Sequence, residues 1–174
     1  MTTASPHDAD FMLAAALDGF GAARDRFLAA STIRNALAVK VFVPLTEALW
    51  WTVTVDDGFE ARVANLGAFR QARNADTDGK TVRGLRWVRN RCGHQRALAA
   101  DYGGGISYPR SLPKAFPAWT FRWRPVAELP SPPSSVNDKA LEAEYVQHLA
   151  GQPAAETLDA AARWFEAERQ RQGF

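Results

Sequence analysis

At 174 residues, 47% of them apolar, the chain has enough material for one domain with a buried core, or one domain with an appendage. A single cysteine excludes an internal disulfide, and with three scattered histidines it cannot furnish a four-ligand zinc site, so no metal and no cofactor is expected. The net charge of +2 hides a segregation: residues 1–78 hold 7 basic and 10 acidic side chains (−3), residues 79–136 hold 10 and 2 (+8), and residues 137–174 hold 4 and 7 (−3). A basic middle of this kind is what an anionic partner requires.

The amino end lacks a basic stretch followed by an apolar one, and no apolar run approaches the ~18 residues a membrane helix needs, so a cytoplasmic protein with no membrane partner is expected. Ser5-Pro6-His7-Asp8 reads as a helix start, with Ser5 as cap and Pro6 in the first position, and the helix should run to about Ala30. Phe11, Leu13, Leu17, Phe20, Phe27 and Leu28 supply its buried side, while Gly19 and Gly21 either weaken it or admit a close neighbour. A second helix is expected from Ser31 or Thr32 to about Asp56. Its Ile33, Leu37, Val41, Leu45 and Leu49 spacing outweighs the β-branched content, and Pro44 marks a kink. Apolar on most sides, it should be central in a bundle or lie at a subunit contact. Trp50 and Trp51 could pack in the core or stack on bases, and Glu47 could pair with an arginine further along the chain. Residues 57–78, with Gly58, Asn65, Gly67 and Asn74, read as a long connection with one or two short helical turns.

Residues 79–100 form the most distinctive stretch: five arginines, one lysine and no acid. Val82, Leu85, Val88 and Cys92 recur at spacings of three and four, which predicts a helix capped by Thr77 or Asp78 and stopped at Tyr102 and the glycines that follow. Arg86, Arg89, Asn90 and Gly93 fall on the flank beside that apolar stripe, and His94 lies at its outer margin. Asn90 and His94 are one turn apart. Arg89 and His94 lie roughly 140° apart around an ideal helix, so they can meet one phosphate only if the helix bends near Gly93 or if both reach sideways into a cleft.

The order Arg89-Asn90-Arg91-Cys92-Gly93-His94 resembles the signature of the HEPN superfamily (higher eukaryotes and prokaryotes nucleotide-binding domains): an arginine, a polar neighbour, and a histidine four to six residues on. The resemblance covers roughly residues 6–100. It implies an all-α, HEPN-like helical bundle acting as a metal-independent endoribonuclease, in toxin, defence or RNA-processing settings. It also implies a homodimer with two motifs across a shared cleft, and a protein antitoxin or regulator as a further partner. By position, Arg89 and His94 become the catalytic pair and Asn90 a supporting group, with Arg83, Arg86, Arg91 and Arg96 as RNA-binding cations. The alternative is an inactive HEPN-like module that binds RNA or a partner without turnover.

Most of the prolines lie in residues 101–135, which argues against helix there, and Trp119, Phe121 and Trp123 alternate with Thr120, Arg122 and Arg124 as in a short strand. Residues 106–135 should therefore form an irregular Pro-rich arm and linker, packed over a bundle of residues 1–105. Asn137 or Asp138 caps a helix to about Ala150, Gly151 ends it, and Pro153 opens a last helix to about Arg171. Leu141, Tyr145, Leu149, Leu158, Ala162 and Phe165 give this carboxy-terminal helical hairpin, residues 136–174, one apolar face for docking.

Overall fold

A computed structural model describes residues 6–32, 38–95, 98–103, 120–130 and 136–174. Among them the protein is an all-α helical bundle of six helices with one two-stranded sheet: α1 (Pro6–Ser31), α2 (Ala38–Arg62), α3 (Leu66–Ala75), α4 (Thr77–Gln95), β1 (Ala100–Gly103), β2 (Thr120–Trp123), α5 (Val136–His148) and α6 (Ala154–Arg171). No helix among the described residues is long and apolar enough to cross a membrane.

The long pair α1 and α2 packs along most of its length, and α4 lies against α2, α5 and α6. The buried spacings explain this arrangement. Leu13, Ala16, Phe20, Ala23 and Phe27 recur every three or four residues on α1, and Val41, Leu45, Ala48, Thr52, Val55 and Phe59 do so on α2. Phe165 of α6 meets Phe20 edge-on, with ring centroids 5.2 Å apart, and Phe59 at 6.3 Å, joining α1, α2 and α6 in one core. Such aromatic contacts add about 0.5–1.5 kcal/mol each beyond the area they bury. Gly19 explains the close approach of α1 and α2: a Cβ there would lie 2.6 Å from Cε2 of Trp51, whereas Gly21 faces open space.

Three stretches depart from the sequence expectation. Helix α2 continues six residues past Asp56 to Arg62, and part of the supposed connection over 57–78 is the ten-residue helix α3. Asn65 caps α3, its side-chain oxygen accepting from the Ala68 N–H at 2.9 Å, so asparagine and glycine here mark a helix start rather than a loop. Helix α4 ends at Gln95, earlier than the expected 79–100, and the chain turns into β1. Residues 106–119 and 131–135 of the expected arm lie outside the described residues; its expected short strand is β2, which, beyond that expectation, pairs antiparallel with β1, Ala100 opposite Trp123 and Gly103 opposite Thr120. The ribbon is fixed to the α5–α6 turn, where Trp123 N–H donates to Gln152 O, Gly151 N–H donates to Trp123 O, and Trp123 Nε1 donates to Thr157 Oγ1 at 2.8 Å.

Candidate functional site

The motif helix meets α2 along the flank that carries Arg86, Arg89, Asn90 and Gly93. Val82, Leu85, Trp87 and Val88 are fully buried, which turns that flank to the edge of the α2 contact. The arginines on it have unequal fates. Arg86 Nη2 donates to Asp56 Oδ2 at 2.8 Å and to Asp57 Oδ1 at 2.5 Å. Burial alone would pull the Arg86 pKa down, but Asp56 and Asp57 outweigh it and hold it above the ordinary value. Arg83 Nη1 donates to Asn74 Oδ1 at 2.8 Å and to Glu144 Oε1 at 3.2 Å.

Arg91 corrects the expectation of an RNA-binding cation. It is 2% exposed, its guanidinium stands 4.7 Å from the Trp87 ring centroid, and Nη2 donates to both oxygens of Asp138 at 2.6 and 2.5 Å. A buried, bidentate arginine of this kind joins α4 to α5 and presents no charge to a ligand. Arg83 and Arg86 are likewise neutralised within the fold, and Arg96 lies outside the described residues.

Arg89 stands apart. Among the described arginines of α4 it alone has no acidic partner. Its guanidinium lies 3.9 Å from the ring centroid of Trp50 on α2, and its Nη1 donates only to the side-chain oxygen of the adjacent Asn90, at 3.2 Å. Its Nε is buried with no hydrogen-bond partner. Burial first, and the charge of Arg86 second, pull its pKa below the ordinary arginine value. The guanidinium is held on an aromatic face with one donor bonded to Asn90 and no carboxylate partner.

Helix α4 runs through Gly93 to Gln95 without interruption, so the backbone of His94 follows Asn90 by one turn. The hydrogen bond from Arg89 to Asn90 draws the guanidinium toward that side of the helix. The imidazole of His94 lies outside the described side chains. Gly93 makes room for Trp50, since a Cβ there would lie 3.1 Å from Cζ2 of the indole.

The sequence offered Trp50 for core packing or base stacking, but neither its contact with Arg89 nor the shared role of Asp56 was legible there. Trp50 carries Arg89 and is 43% exposed, on the helix face that also exposes Val39 and Val43. Asp56 is fully buried and shared by two cations, Arg73 Nη1 at 2.6 Å and Arg86 Nη2 at 2.8 Å, its other oxygen making no hydrogen bond. Two adjacent acids at the end of an apolar run, Asp56-Asp57, were the available signal. Glu47, which the polarity of α2 had offered as partner for the motif helix, instead pairs with Arg26 of α1.

Cys92, on the buried side of α4, has its thiol pushed up to about 11 by burial, with a backbone hydrogen bond at Ala99 offsetting this in part, so it is no nucleophile at neutral pH. Among the described residues no group of three or more His, Cys, Asp or Glu side chains could hold a metal ion. No family model matches the chain, and neither does any curated protein or solved structure.

Proposed function

We propose that the protein is a metal-independent endoribonuclease of HEPN type, with Arg89, Asn90 and His94 at its centre. The observation that carries this reading is the isolation of Arg89: every other described arginine of α4 is matched by a carboxylate, and this one, beside Asn90 and one turn from the position of His94, is kept for an external anion. In the reaction, His94 takes the proton of an RNA 2′-hydroxyl as its oxygen attacks the adjacent phosphorus. Arg89 bears the charge that gathers on the phosphorane-like oxygens, and Asn90 orients the phosphate or the guanidinium. The 5′-oxygen leaves with a proton from an imidazolium, giving a 2′,3′-cyclic phosphate and a 5′-hydroxyl. Proton transfer by a positioned group contributes about 10²–10⁴-fold and charge stabilisation a further ~3–4 kcal/mol.

Two histidines suit the two proton transfers better than one, and a second copy of the chain across a two-fold axis supplies the other. The exposed Val39 and Val43 of α2, on the same helix face as Trp50, provide apolar surface for that pairing. Purified protein in excess EDTA should cut RNA, and Arg89→Ala and His94→Ala should not. Cleavage that survives both substitutions removes the assignment.

The second reading, an inactive module that holds a phosphate-bearing or acidic partner, draws on the neutralised state of Arg83, Arg86 and Arg91. With those cations paired internally, the motif face offers one strong anion contact rather than a broad basic track. Binding without turnover in the same assay selects it.

A further inference from the structure

Trp50 is costly to leave where it is. An indole is one of the largest apolar surfaces a chain can bury, yet this one is 43% exposed on α2, while its neighbours Leu49, Thr52 and Val53 are buried. Two features of α4 meet the ring. Gly93 withholds the side chain that would crowd the ring at Cζ2, and Arg89 lies 3.9 Å from the ring centroid instead of extending to a carboxylate. The part of the indole left exposed therefore adjoins a guanidinium that has no carboxylate partner. An exposed ring beside a cation suits a planar base attached to a phosphate.

We propose that Trp50 is the base-stacking residue of this site: a nucleobase adjoining the phosphate held by Arg89 lies against the exposed part of the indole. This deepens the ribonuclease reading and rests on it for the phosphate. The consequence is a preference for single-stranded RNA, because a base paired and stacked inside a duplex has no free face to offer, whereas an unpaired one stacks on an aromatic ring whatever its sequence. Trp50 thus determines which RNA is engaged, and the charge on Arg89 determines that a phosphate is engaged at all.

The test compares wild type, Trp50→Phe and Trp50→Leu for binding to a fluorescently labelled 12-nucleotide single-stranded RNA and to inorganic polyphosphate, which has the charge and no bases. Base stacking on an aromatic side chain is worth ~1–3 kcal/mol, so Trp50→Leu should weaken the RNA about 5- to 150-fold, keep polyphosphate within about threefold of wild type, and leave the fold intact by circular dichroism. Trp50→Phe, which keeps a ring under Arg89, should retain most of the RNA affinity. Equal loss for RNA and polyphosphate overturns the proposal by showing that Trp50 only supports Arg89. Unchanged RNA affinity together with a shift from dimer to monomer in sedimentation overturns it in favour of a contact between copies. Wild type that binds neither probe removes the ribonuclease reading itself, while RNA binding indifferent to Trp50→Leu removes only the stacking role.

Discussion

Asp56→Ala deletes one carboxylate and leaves two cations with a single acidic partner each. Asp56 is fully buried, and its Oδ2 accepts from Arg73 at 2.6 Å and Arg86 at 2.8 Å. After the substitution Arg73, 7% exposed, keeps only Glu60 at 2.9 Å, and Arg86 keeps only the exposed Asp57. Two opposing effects must be weighed. Removing Asp56 relieves the desolvation of a buried carboxylate, several kcal/mol in principle, but that charge was already compensated by two donors. What remains is a buried guanidinium held by Glu60 alone, so the loss approaches but does not exceed the roughly 3–5 kcal/mol that breaking a buried pair outright costs. Against a total stability of about 5–15 kcal/mol the loss is large, and in a chain of this length it should lower the melting temperature by roughly 6–20 °C. Urea unfolding followed by far-ultraviolet circular dichroism measures it, with an unchanged slope required for the difference to be read as stability. The double variant Asp56→Leu with Arg73→Met should recover at least ~1 kcal/mol relative to the sum of the single losses, since the buried cation is gone. A loss under ~1 kcal/mol for Asp56→Ala, at unchanged slope, would refute the view that this carboxylate holds α2, α3 and α4 together.

Other outcomes follow from particular contacts. Gly21→Ala should stabilise the protein by up to ~1 kcal/mol, because nothing lies within 4 Å of the new methyl group. Gly79→Ala should destabilise it by ~1–3 kcal/mol, because the methyl group would stand 2.4 Å from the Arg73 carbonyl oxygen, which the backbone of α3 cannot easily withdraw; thermal melts of the pair decide both. Burial raises the Cys92 thiol from about 9 to about 11, so the neutral form is favoured in the folded state. The stability linked to it is complete below the unfolded pKa and is lost as pH rises through the window of about 9 to 11, by roughly 2–3 kcal/mol. A Cys92→Ala variant should therefore lose less stability over that window than wild type; an identical decline in both contradicts the burial argument. Arg89→Ala should reduce the slope of RNA affinity against salt by about one phosphate contact, while Arg91→Met should leave that slope unchanged.

What the sequence showed and what it hid divide along a physical line. The spacings of Leu13, Phe20 and Phe27, and of Val82, Leu85 and Val88, mark buried helix faces because periodicity is a local property of the chain. Pro6 and Pro153 mark helix starts for the same reason. The ribbon of β1 with β2 was not legible, since it depends on bringing Ala100 opposite Trp123 and seating both beside the α5–α6 turn. Charge was the most misleading signal. The +8 of residues 79–136 suggested an open basic face, but its arginines are answered from a distance: Arg86 by Asp56 and Asp57, Arg83 by Glu144, Arg91 by Asp138. Segment totals cannot register such pairings. Once they are subtracted, Arg89 is the described arginine of α4 left without a carboxylate, and its isolation became visible only in three dimensions.

Attack by a 2′-hydroxyl without a metal is the step on which the proposed activity depends. The measurement is cleavage of three matched strands in excess EDTA, an RNA, its fully 2′-O-methylated counterpart and the equivalent DNA, with the product ends identified by mass spectrometry. Cutting of the RNA alone, leaving a 2′,3′-cyclic phosphate and a 5′-hydroxyl and vanishing in Arg89→Ala, is the predicted result. Cutting of the methylated strand or of the DNA at a comparable rate would contradict it.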